Sequence, residues 1–442
     1  MACTWALLWL LSLGGLAAVH QPYDDSTLTL TSFGTPDPFV TSFRGQYYLT
    51  FTAGDRIEIW SSESLVDIEA YAVKHHIWKP PHGTEHSADI WAPELHAIRD
   101  RWYIYYTAAS PRRGNKSHRM YVLGGPPATE DPCLGQWMFL GRIRYMPDQW
   151  AIDGTVFELE DELYLAYSGW PLDASEQHEP VRDYSRDGIP AQRVLQKADE
   201  NKPHAHRNDT GSDDGRTNRT ATPDTPGLVQ HLFLVRLADP WTAGSRPVTV
   251  SLPQQAWEVT RDGSGAHAIN EGPQWLASPD GSWRGLVYSC AGSWTHEYKM
   301  ATLRYRGGAP LDPSSWQKSA APLLQAPRGR PGAGPFGPGH GSFLAMGGGG
   351  HVVAVYHATD GADDGWGNRR ARVRRVAFTD KGPYMGKSFG LEAPAGRTGL
   401  VARIRARFGG GRTSGVAEQG DLKAFLEACR IEDKANENQI DG

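Results

Sequence analysis

The stretch WYIYYTAAS at residues 102–110 alternates in the manner of a half-buried β-strand and ends in small residues. A turn-forming RDR precedes it. Four further stretches follow the same plan: QYYLTFTAG (46–54), LYLAYSGW (163–170), GLVYSCAGSW (285–294) and VVAVYHATD (352–360). Each is followed by another strand-like segment, namely RIEIWSS, HRMYVLGG, HLFLVRLAD, KMATLRYRG and ARVRRVAFT. The chain therefore repeats one antiparallel unit five times.

A polar residue opens each of these units. The five residues recur about every sixty positions and are Asp37, Glu94, Asp153, Glu271 and His340. One interval is longer because it contains residues 172–227, which are rich in charged residues, Asn and Pro. That stretch predicts a disordered or glycosylated loop between strands of the third unit.

Five such units predict an all-β fold, a five-bladed β-propeller. The first strand of each blade would line a central channel, so the five polar residues would meet in one funnel. A two-sheet sandwich is the alternative, but it does not explain why the polar residues recur in phase. Residues 28–384 are expected to form this domain, and 385–442 a linker and tail.

The chain ends carry signals of their own. Residues 1–17, with an apolar run from Ala6 to Leu13 followed by small residues, predict a secretory signal peptide. Three N-glycosylation sequons, at Asn115, Asn208 and Asn218, agree with a secreted glycoprotein. In the tail, GGGRTSG (409–415) is typical of a linker. LKAFLEACRIE predicts a short helix capped by Asp421.

The composition excludes several classes of protein. A net charge of −5 over 442 residues gives no basic patch for nucleic acid or an anionic membrane. The four cysteines do not suggest a disulfide scaffold, and no CxxC or HExxH spacing indicates a metal site. We expect a monomer that needs no cofactor.

Several carboxylates in one funnel indicate glycoside hydrolysis. This reaction needs a protonated acid at the leaving oxygen and a second carboxylate across the sugar. Burial and a neighbouring negative charge raise the pKa of a carboxyl group, which keeps the acid protonated. In isolation each of these residues is also a common turn, strand-start or loop residue. Their shared phase favours a common site.

The motifs TPDPF, WAPEL, AIDGTVF, INEGP and GPGHGSF, in this order, resemble glycoside hydrolase family 43 over about residues 30–380. GSW (292–294) and NRRARVRR are closer to its arabinofuranosidase-like members than to its xylosidases. The resemblance implies the five-bladed propeller and an inverting mechanism. Asp37 would be the general base and Glu271 the general acid. Asp153 would tune the pKa of the acid and orient it.

The resemblance also implies residues that hold the substrate. Trp91 would form an apolar wall for the sugar ring, and Glu94 and Asn270 would assist in binding. Of the three arginines Arg369, Arg370 and Arg372, the last fits the substrate-contacting position best. A hydrated calcium or sodium ion would lie in the channel near His340, although one imidazole is a poor indicator of calcium.

These residues together predict a secreted, exo-acting hydrolase that removes terminal α-L-arabinofuranosyl groups from plant cell-wall polysaccharide. Its partner would be an arabinose-containing oligo- or polysaccharide. A β-D-xylosidase or an endo-arabinanase on the same fold is the alternative, and a non-catalytic carbohydrate-binding propeller is an alternative of another class. A retaining fructosyl hydrolase is disfavoured because its WMNDPNG-like start is missing.

Overall fold

The computed structural model describes residues 27–172, 226–263, 265–326, 335–385 and 422–433. The predicted signal peptide, nearly all of the predicted 172–227 insert, the linker at 409–415 and Asp421 lie outside these residues. The same is true of the sequons at Asn208 and Asn218.

The described chain is predominantly β-structure. After β1 (Leu28–Thr29), successive strands form five antiparallel sets. The first contains β2 (Phe39–Phe43), β3 (Gln46–Thr50), β4 (Ile57–Ser62) and β5 (Val73–Trp78). The second contains β6 (Ala88–Ile98), β7 (Arg101–Ala109), β8 (Arg119–Pro127) and β9 (Met138–Arg142). The third contains β10 (Ala151–Leu159), β11 (Glu162–Gly169), β12 (Pro226–Asp239), β13 (Thr242–Ala243) and β14 (Val248–Ser251).

The fourth set contains β15 (Val259–Asp262), β16 (Gly265–Ala277), β17 (Arg284–Cys290), β18 (Lys299–Tyr305) and β19 (Trp316–Lys318). The fifth contains β20 (Phe336–Met346), β21 (His351–Thr359), β22 (Arg370–Thr379) and β23 (Gly382–Tyr384). A short parallel pairing of β12 with β16 joins the third and fourth sets into one hydrogen-bonded sheet. Helix α1 (Ile68–Tyr71) precedes β5, and a helix over residues 422–433, α2, ends the described chain.

The strand predictions are confirmed. The five repeated stretches form β3, β7, β11, β17 and β21, and the segments after them form β4, β8, β12, β18 and β22. All residues of β7 from Trp102 to Ala109 are buried, because neighbouring sets cover both faces of the sheet. The outer strand β5 is mostly exposed or half-buried, which is why its sequence VKHHIW is more polar.

One strand from each set lies at the centre of the molecule. β2 contacts β6, β6 contacts β10, β10 contacts β16, β16 contacts β20, and β20 contacts β2. Apolar clusters fill the spaces between neighbouring sets. Their facing members include Ile59 and Ile104, Val122 and Leu165, Leu234 and Leu286, Val287 and Ala354, and Val353 and Leu49. The sets therefore follow one another around a common centre.

The described chain ends meet at the seam between the first and fifth sets. β1 pairs with β22 through Leu28 and Val373, so the N-terminal strand completes the last sheet. Helix α2 confirms the helix predicted in the tail, and it packs Leu422 and Leu426 into the cluster that joins the two sets. The seam is therefore closed from both ends of the described chain.

Cys133, Cys290 and Cys429 are free thiols. No helix within the described residues is both long and apolar enough to cross a membrane.

Candidate active site

A left-handed residue interrupts the start of every unit. The five residues have positive φ and are Asp37 (56°), Ala92 (45°), Asp153 (57°), Gly272 (54°) and His340 (40°). Each is followed by Pro or Gly, namely Pro38, Pro93, Gly154, Pro273 and Gly341. In β6, β10, β16 and β20 the strand register shifts at this point, as in a β-bulge. The bulges re-aim the side chains beside them toward the centre.

The bulges correct the predicted phase of the repeat. Asp37, Asp153 and His340 occupy equivalent left-handed positions, but Ala92 and Gly272 take this place in the second and fourth sets. Glu94 lies two residues after the equivalent position and Glu271 one residue before it. The five polar residues are therefore not structural equivalents, although all five are buried.

Side chains from neighbouring sets hold the bulges in place. The backbone N–H of His340 donates to Ser289 Oγ (2.7 Å), and that of Asp37 donates to His357 Nδ1 (3.1 Å). Both acceptors lie on a middle strand of the preceding set, Ser289 on β17 and His357 on β21. Gly272 N–H donates to Asp153 Oδ2 (3.1 Å), which ties the residue after Glu271 to the third set. Neighbouring sets thus fix the backbone from which the acids project.

Asp37 is held as an anion. Thr52 Oγ1 donates to its Oδ2 (2.7 Å), and Arg369 Nη1 donates to its Oδ1 at 3.4 Å. His340 Nδ1 lies 3.3 Å from the same oxygen. Burial alone would raise the pKa of Asp37, but the Arg369 and His340 charges outweigh it and hold the pKa well below its usual value.

His340 lies between two aspartates. Its Nδ1 is 3.3 Å from Asp37 Oδ1 and 3.9 Å from Asp153 Oδ2. Burial opposes protonation of the ring, yet the two carboxylates raise the pKa of His340 to about 10. The imidazolium is therefore the cation that allows two buried aspartates to sit close together.

Asp153 and Glu271 have the opposite shift from Asp37. Burial, together with the charge of Asp37, raises the pKa of Asp153 to about 6, against the attraction of His340. Burial and the adjacent Asp153 raise the pKa of Glu271 to about 8, and a hydrogen bond from Tyr298 partly counters this. At neutral pH, Glu271 is thus a protonated carboxylic acid and Asp37 an ionised carboxylate.

Two glycines make room for this cluster. A Cβ on Gly272 would lie 3.0 Å from His340 Cγ, and the φ of 54° already favours glycine there. A Cβ on Gly339 would lie 2.0 Å from the ring of Tyr298. The ring packing around the acids therefore requires both positions to lack a side chain.

Trp91 and Glu94 lie on the central strand β6. Trp91 is half-buried and stacks on His118, with ring centroids 3.9 Å apart. Glu94 is buried, and its two oxygens bind Gln274 Nε2 and His96 Nε2, the latter at 2.8 Å. Both carboxylate oxygens of Glu94 therefore have protein partners. That Glu94 binds substrate remains a prediction.

Asn270 does not join the acids in the described structure. Its side chain is fully buried, where Nδ2 donates to Glu258 Oε1 (2.8 Å) and Oδ1 accepts from Ser251 Oγ (2.7 Å) and Lys318 Nζ (3.1 Å). Adjacent residues of a strand point to opposite faces. Asn270 therefore belongs to a buried polar network that joins the fourth set to Ser251 of the third.

Of the three arginines, it is Arg369 that reaches the acid cluster, and a substrate contact of Arg372 remains a prediction. Arg372 is committed elsewhere, because Nη2 binds Asp360 and Nη1 donates to Thr29 Oγ1 (2.8 Å). Arg370 also pairs with Asp360, at 2.7 Å. Arg369, which precedes β22, reaches Asp37 instead.

Sequence reasoning missed Tyr298 and His357. His357 is fully buried, and burial lowers its pKa to about 4, so its ring is neutral and accepts the Asp37 N–H at Nδ1. A sequence signal for it exists: the middle strands read Tyr106-Thr107, Tyr167-Ser168, Tyr288-Ser289 and Tyr356-His357. The His357 ring stacks on Tyr298 with centroids 5.7 Å apart.

The predicted channel ion fits this cluster poorly. No group of three or more His, Cys, Asp or Glu in the described ranges is arranged to hold a metal. His340, the predicted neighbour of the ion, carries a positive charge between two aspartates. The ion remains a prediction, and no chemical step below depends on it.

Comparisons with known proteins identify a family. A family model described as glycosyl hydrolases family 43 matches residues 30–197 and 217–384. An extracellular exo-alpha-(1->5)-L-arabinofuranosidase of Streptomyces chartreusis is 29% identical over 317 residues, 71% of this chain and 76% of that protein. An alpha-L-arabinofuranosidase 43 of Humicola insolens is 28% identical over 379 residues, 84% of this chain and 64% of that protein. The crystal structure of an alpha-L-arabinofuranosidase from Lactobacillus brevis superposes with a TM-score of 0.59 and 26% identity, covering 81% of this chain and 94% of that chain.

Proposed function

Because the chain belongs to glycosyl hydrolases family 43, it is a glycosyl hydrolase, and we propose that it removes terminal α-L-arabinofuranosyl groups with inversion at the anomeric carbon. The single observation that carries this proposal is that two carboxyl groups in one cluster have pKa values shifted in opposite directions. Asp37 has a strongly lowered pKa and Glu271 a pKa of about 8. Such divergence separates a base from an acid at neutral pH.

The reaction proceeds in one displacement. Ionised Asp37 accepts a proton from a water molecule as the water oxygen bonds to the anomeric carbon. The bond from that carbon to the leaving oxygen breaks, and protonated Glu271 transfers its proton to this oxygen. The products are free arabinose of inverted configuration and a shortened glycan. Afterwards Glu271 is ionised and Asp37 is protonated, and exchange with solvent restores both.

The neighbouring residues keep the two carboxyls in their required states. Arg369 and His340 stabilise the negative charge of Asp37. Asp153 raises the pKa of Glu271 by its charge and fixes the backbone through Gly272 N–H. Protonation of Asp37 would abolish the attraction between its carboxylate and the positively charged His340 ring. That loss favours return of the proton to solvent.

The architecture supports a five-bladed propeller. Five antiparallel sets follow one another around a centre, and β20 contacts β2. In such a fold the acids would lie together in a central funnel. Trp91, stacked on His118, would line this funnel as an apolar wall for the terminal sugar. Exo action is proposed because a relative is named an exo-alpha-(1->5)-L-arabinofuranosidase.

The substrate and location follow from the relatives. Two relatives are named as arabinofuranosidases, and one of them as extracellular. We therefore propose a secreted enzyme that acts on arabinose-containing glycans of the plant cell wall. The predicted signal peptide at residues 1–17 supports secretion.

The first test compares leaving groups. Purified protein would be assayed on nitrophenyl α-L-arabinofuranoside, nitrophenyl β-D-xyloside and arabinan oligosaccharides. Glu271→Gln should lose about a thousandfold in kcat/KM on oligosaccharides. It should lose far less on the nitrophenyl arabinoside, because nitrophenolate leaves without a proton. Asp37→Asn should lose activity on both. Glu158→Gln, at an exposed glutamate on β10, is the charge-matched control and should retain activity on both.

Stereochemistry provides an independent check. Proton NMR of the first-formed arabinose should show the configuration opposite to that of the substrate. A retained product would exclude the single displacement, and equal losses of Glu271→Gln on both kinds of substrate would exclude its role as the acid. Preference for the xyloside would keep the mechanism and reassign the sugar.

A further inference from the structure

Two loops rise beside the acids from the fourth and fifth sets. Residues 291–298 follow β17, whose last residues Ser289 and Cys290 pair with Glu271 and Asn270. Residues 360–369 follow β21 and end at Arg369, which contacts Asp37. One loop therefore leaves the sheet beside the general acid and the other beside the general base.

Each loop contributes a tryptophan, and the two indoles meet. The rings of Trp294 and Trp366 lie edge to face, with centroids 6.0 Å apart. Trp294 Nε1 donates to Asp262 Oδ2 (3.0 Å), and its ring contacts His267 edge-on at 5.0 Å. Trp366 Nε1 donates to Ser293 Oγ (3.2 Å) on the neighbouring loop. Hydrogen bonds and ring contacts thus hold both indoles in a defined orientation.

Trp366 is nevertheless 57% exposed. A large aromatic ring that is fixed in place but left in water contributes little to a core and offers its face to a ligand. The backbone of Trp366 is also linked to Asp37 through Arg369. The carbonyl oxygen of Trp366 accepts a hydrogen bond from Arg369 Nε at 3.3 Å, and Arg369 Nη1 donates to Asp37.

We propose that Trp366, supported by Trp294, is the subsite for the sugar on the leaving side of the scissile bond. This inference rests on the proposed function. The general acid must reach the leaving oxygen, so the leaving sugar lies on the Glu271 side. The loop that carries Trp294 begins on the strand paired with Glu271. The C–H face of a furanose or pyranose ring would pack on the exposed indole, which selects oligosaccharides over simple glycosides.

The test separates this subsite from the catalytic groups. Trp366→Ala and Trp366→Phe would be assayed on arabinan oligosaccharides and on arabinofuranosyl fluoride, whose leaving group has no sugar to bind. For Trp366→Ala we expect KM for oligosaccharides to rise about tenfold, with kcat/KM on the fluoride within about twofold of the wild type. Trp366→Phe should recover most of the loss. Tyr71→Ala, another exposed aromatic but in helix α1, is the matched control.

The outcomes distinguish the two proposals. An unchanged KM for oligosaccharides, or equal losses on both substrates, in Trp366→Ala would overturn the subsite while leaving the proposed function intact. A wild-type protein that cleaves neither the fluoride nor the oligosaccharides would overturn the proposed function and this inference with it. A loss confined to oligosaccharides, absent from Tyr71→Ala, would establish the subsite.

Discussion

The charge of Asp153 should set the alkaline limit of activity. Asp153, with a pKa of about 6, ionises before Glu271, whose pKa is about 8. The negative charge of Asp153 therefore acts while Glu271 titrates and delays its loss of a proton. Asp153→Asn removes this charge but keeps an oxygen that can accept the Gly272 N–H. The substitution should lower the pKa of Glu271 and move the alkaline limb of the pH profile to lower pH.

The magnitude follows from the protonated fraction of the acid. Burial is the largest cause of the raised pKa and the Asp153 charge the second. A charge beside a carboxyl group moves its pKa by on the order of 1, and this value is used for the Asp153 charge. At about pH 8 the wild-type acid is half protonated, and a pKa lower by about one unit leaves roughly one eleventh protonated. The expected additional loss is about fivefold at this pH. Near pH 5, Asp153 is itself largely neutral, so the charge effect should vanish there.

The assay is kcat/KM on arabinan oligosaccharides from about pH 4 to pH 10. Asp280→Asn, in the turn that joins β16 to β17, is the control on the same hairpin and should leave the profile unchanged. A constant loss at every pH would mean that Asp153 acts only through orientation. An alkaline limb that stays in place or rises would refute the electrostatic reasoning.

Three further predictions follow from the described contacts. Arg369→Ala should raise the pKa of the general base, so the acid limb of the kcat/KM profile should move to higher pH, whereas Arg372→Ala should leave that limb in place; equal pH profiles would contradict this. Gly272→Ala should abolish most activity, because the new Cβ would crowd His340 at a left-handed position; a near-normal turnover number on the nitrophenyl arabinoside would argue against it. Leu426→Ala should lower the free energy of unfolding by about 2–3 kcal/mol without changing kcat per folded molecule. Urea titration checks this last prediction, and an unchanged midpoint would show that helix α2 does not hold the seam.

Much of the fold was predictable because strand alternation is local. The middle strands of all five units were recognisable, since both of their faces pack against neighbouring sets and their sequences are correspondingly apolar. The helix of the tail was also predictable from its sequence. Its packing at the seam was not, because that depends on where β1 and β22 bring the first and fifth sets together.

The phase of the site was harder to predict because a bulge adds a residue that sequence spacing does not reveal. The spacing of the polar residues places Glu94 and Glu271 at the same position of their units as Asp37. The backbone aligns Ala92 and Gly272 instead. In each unit the left-handed residue is followed by Pro or Gly. This dipeptide aligns the five units better than the polar residues do. Glu271 can serve as the acid because it precedes the bulge, where it faces Asp153 and Tyr298.

The same geometry explains why Asn270 is separated from Glu271. Two adjacent residues of a regular strand cannot both face the acid cluster, because successive side chains point to opposite faces. With Glu271 facing the acids, the Asn270 side chain must point the other way, into the buried region between the third and fourth sets. There it bridges Glu258 and Lys318, two buried groups that would otherwise lose a partner. Asn270 therefore supports the strand that carries the acid, and its loss should affect folding before it affects sugar binding.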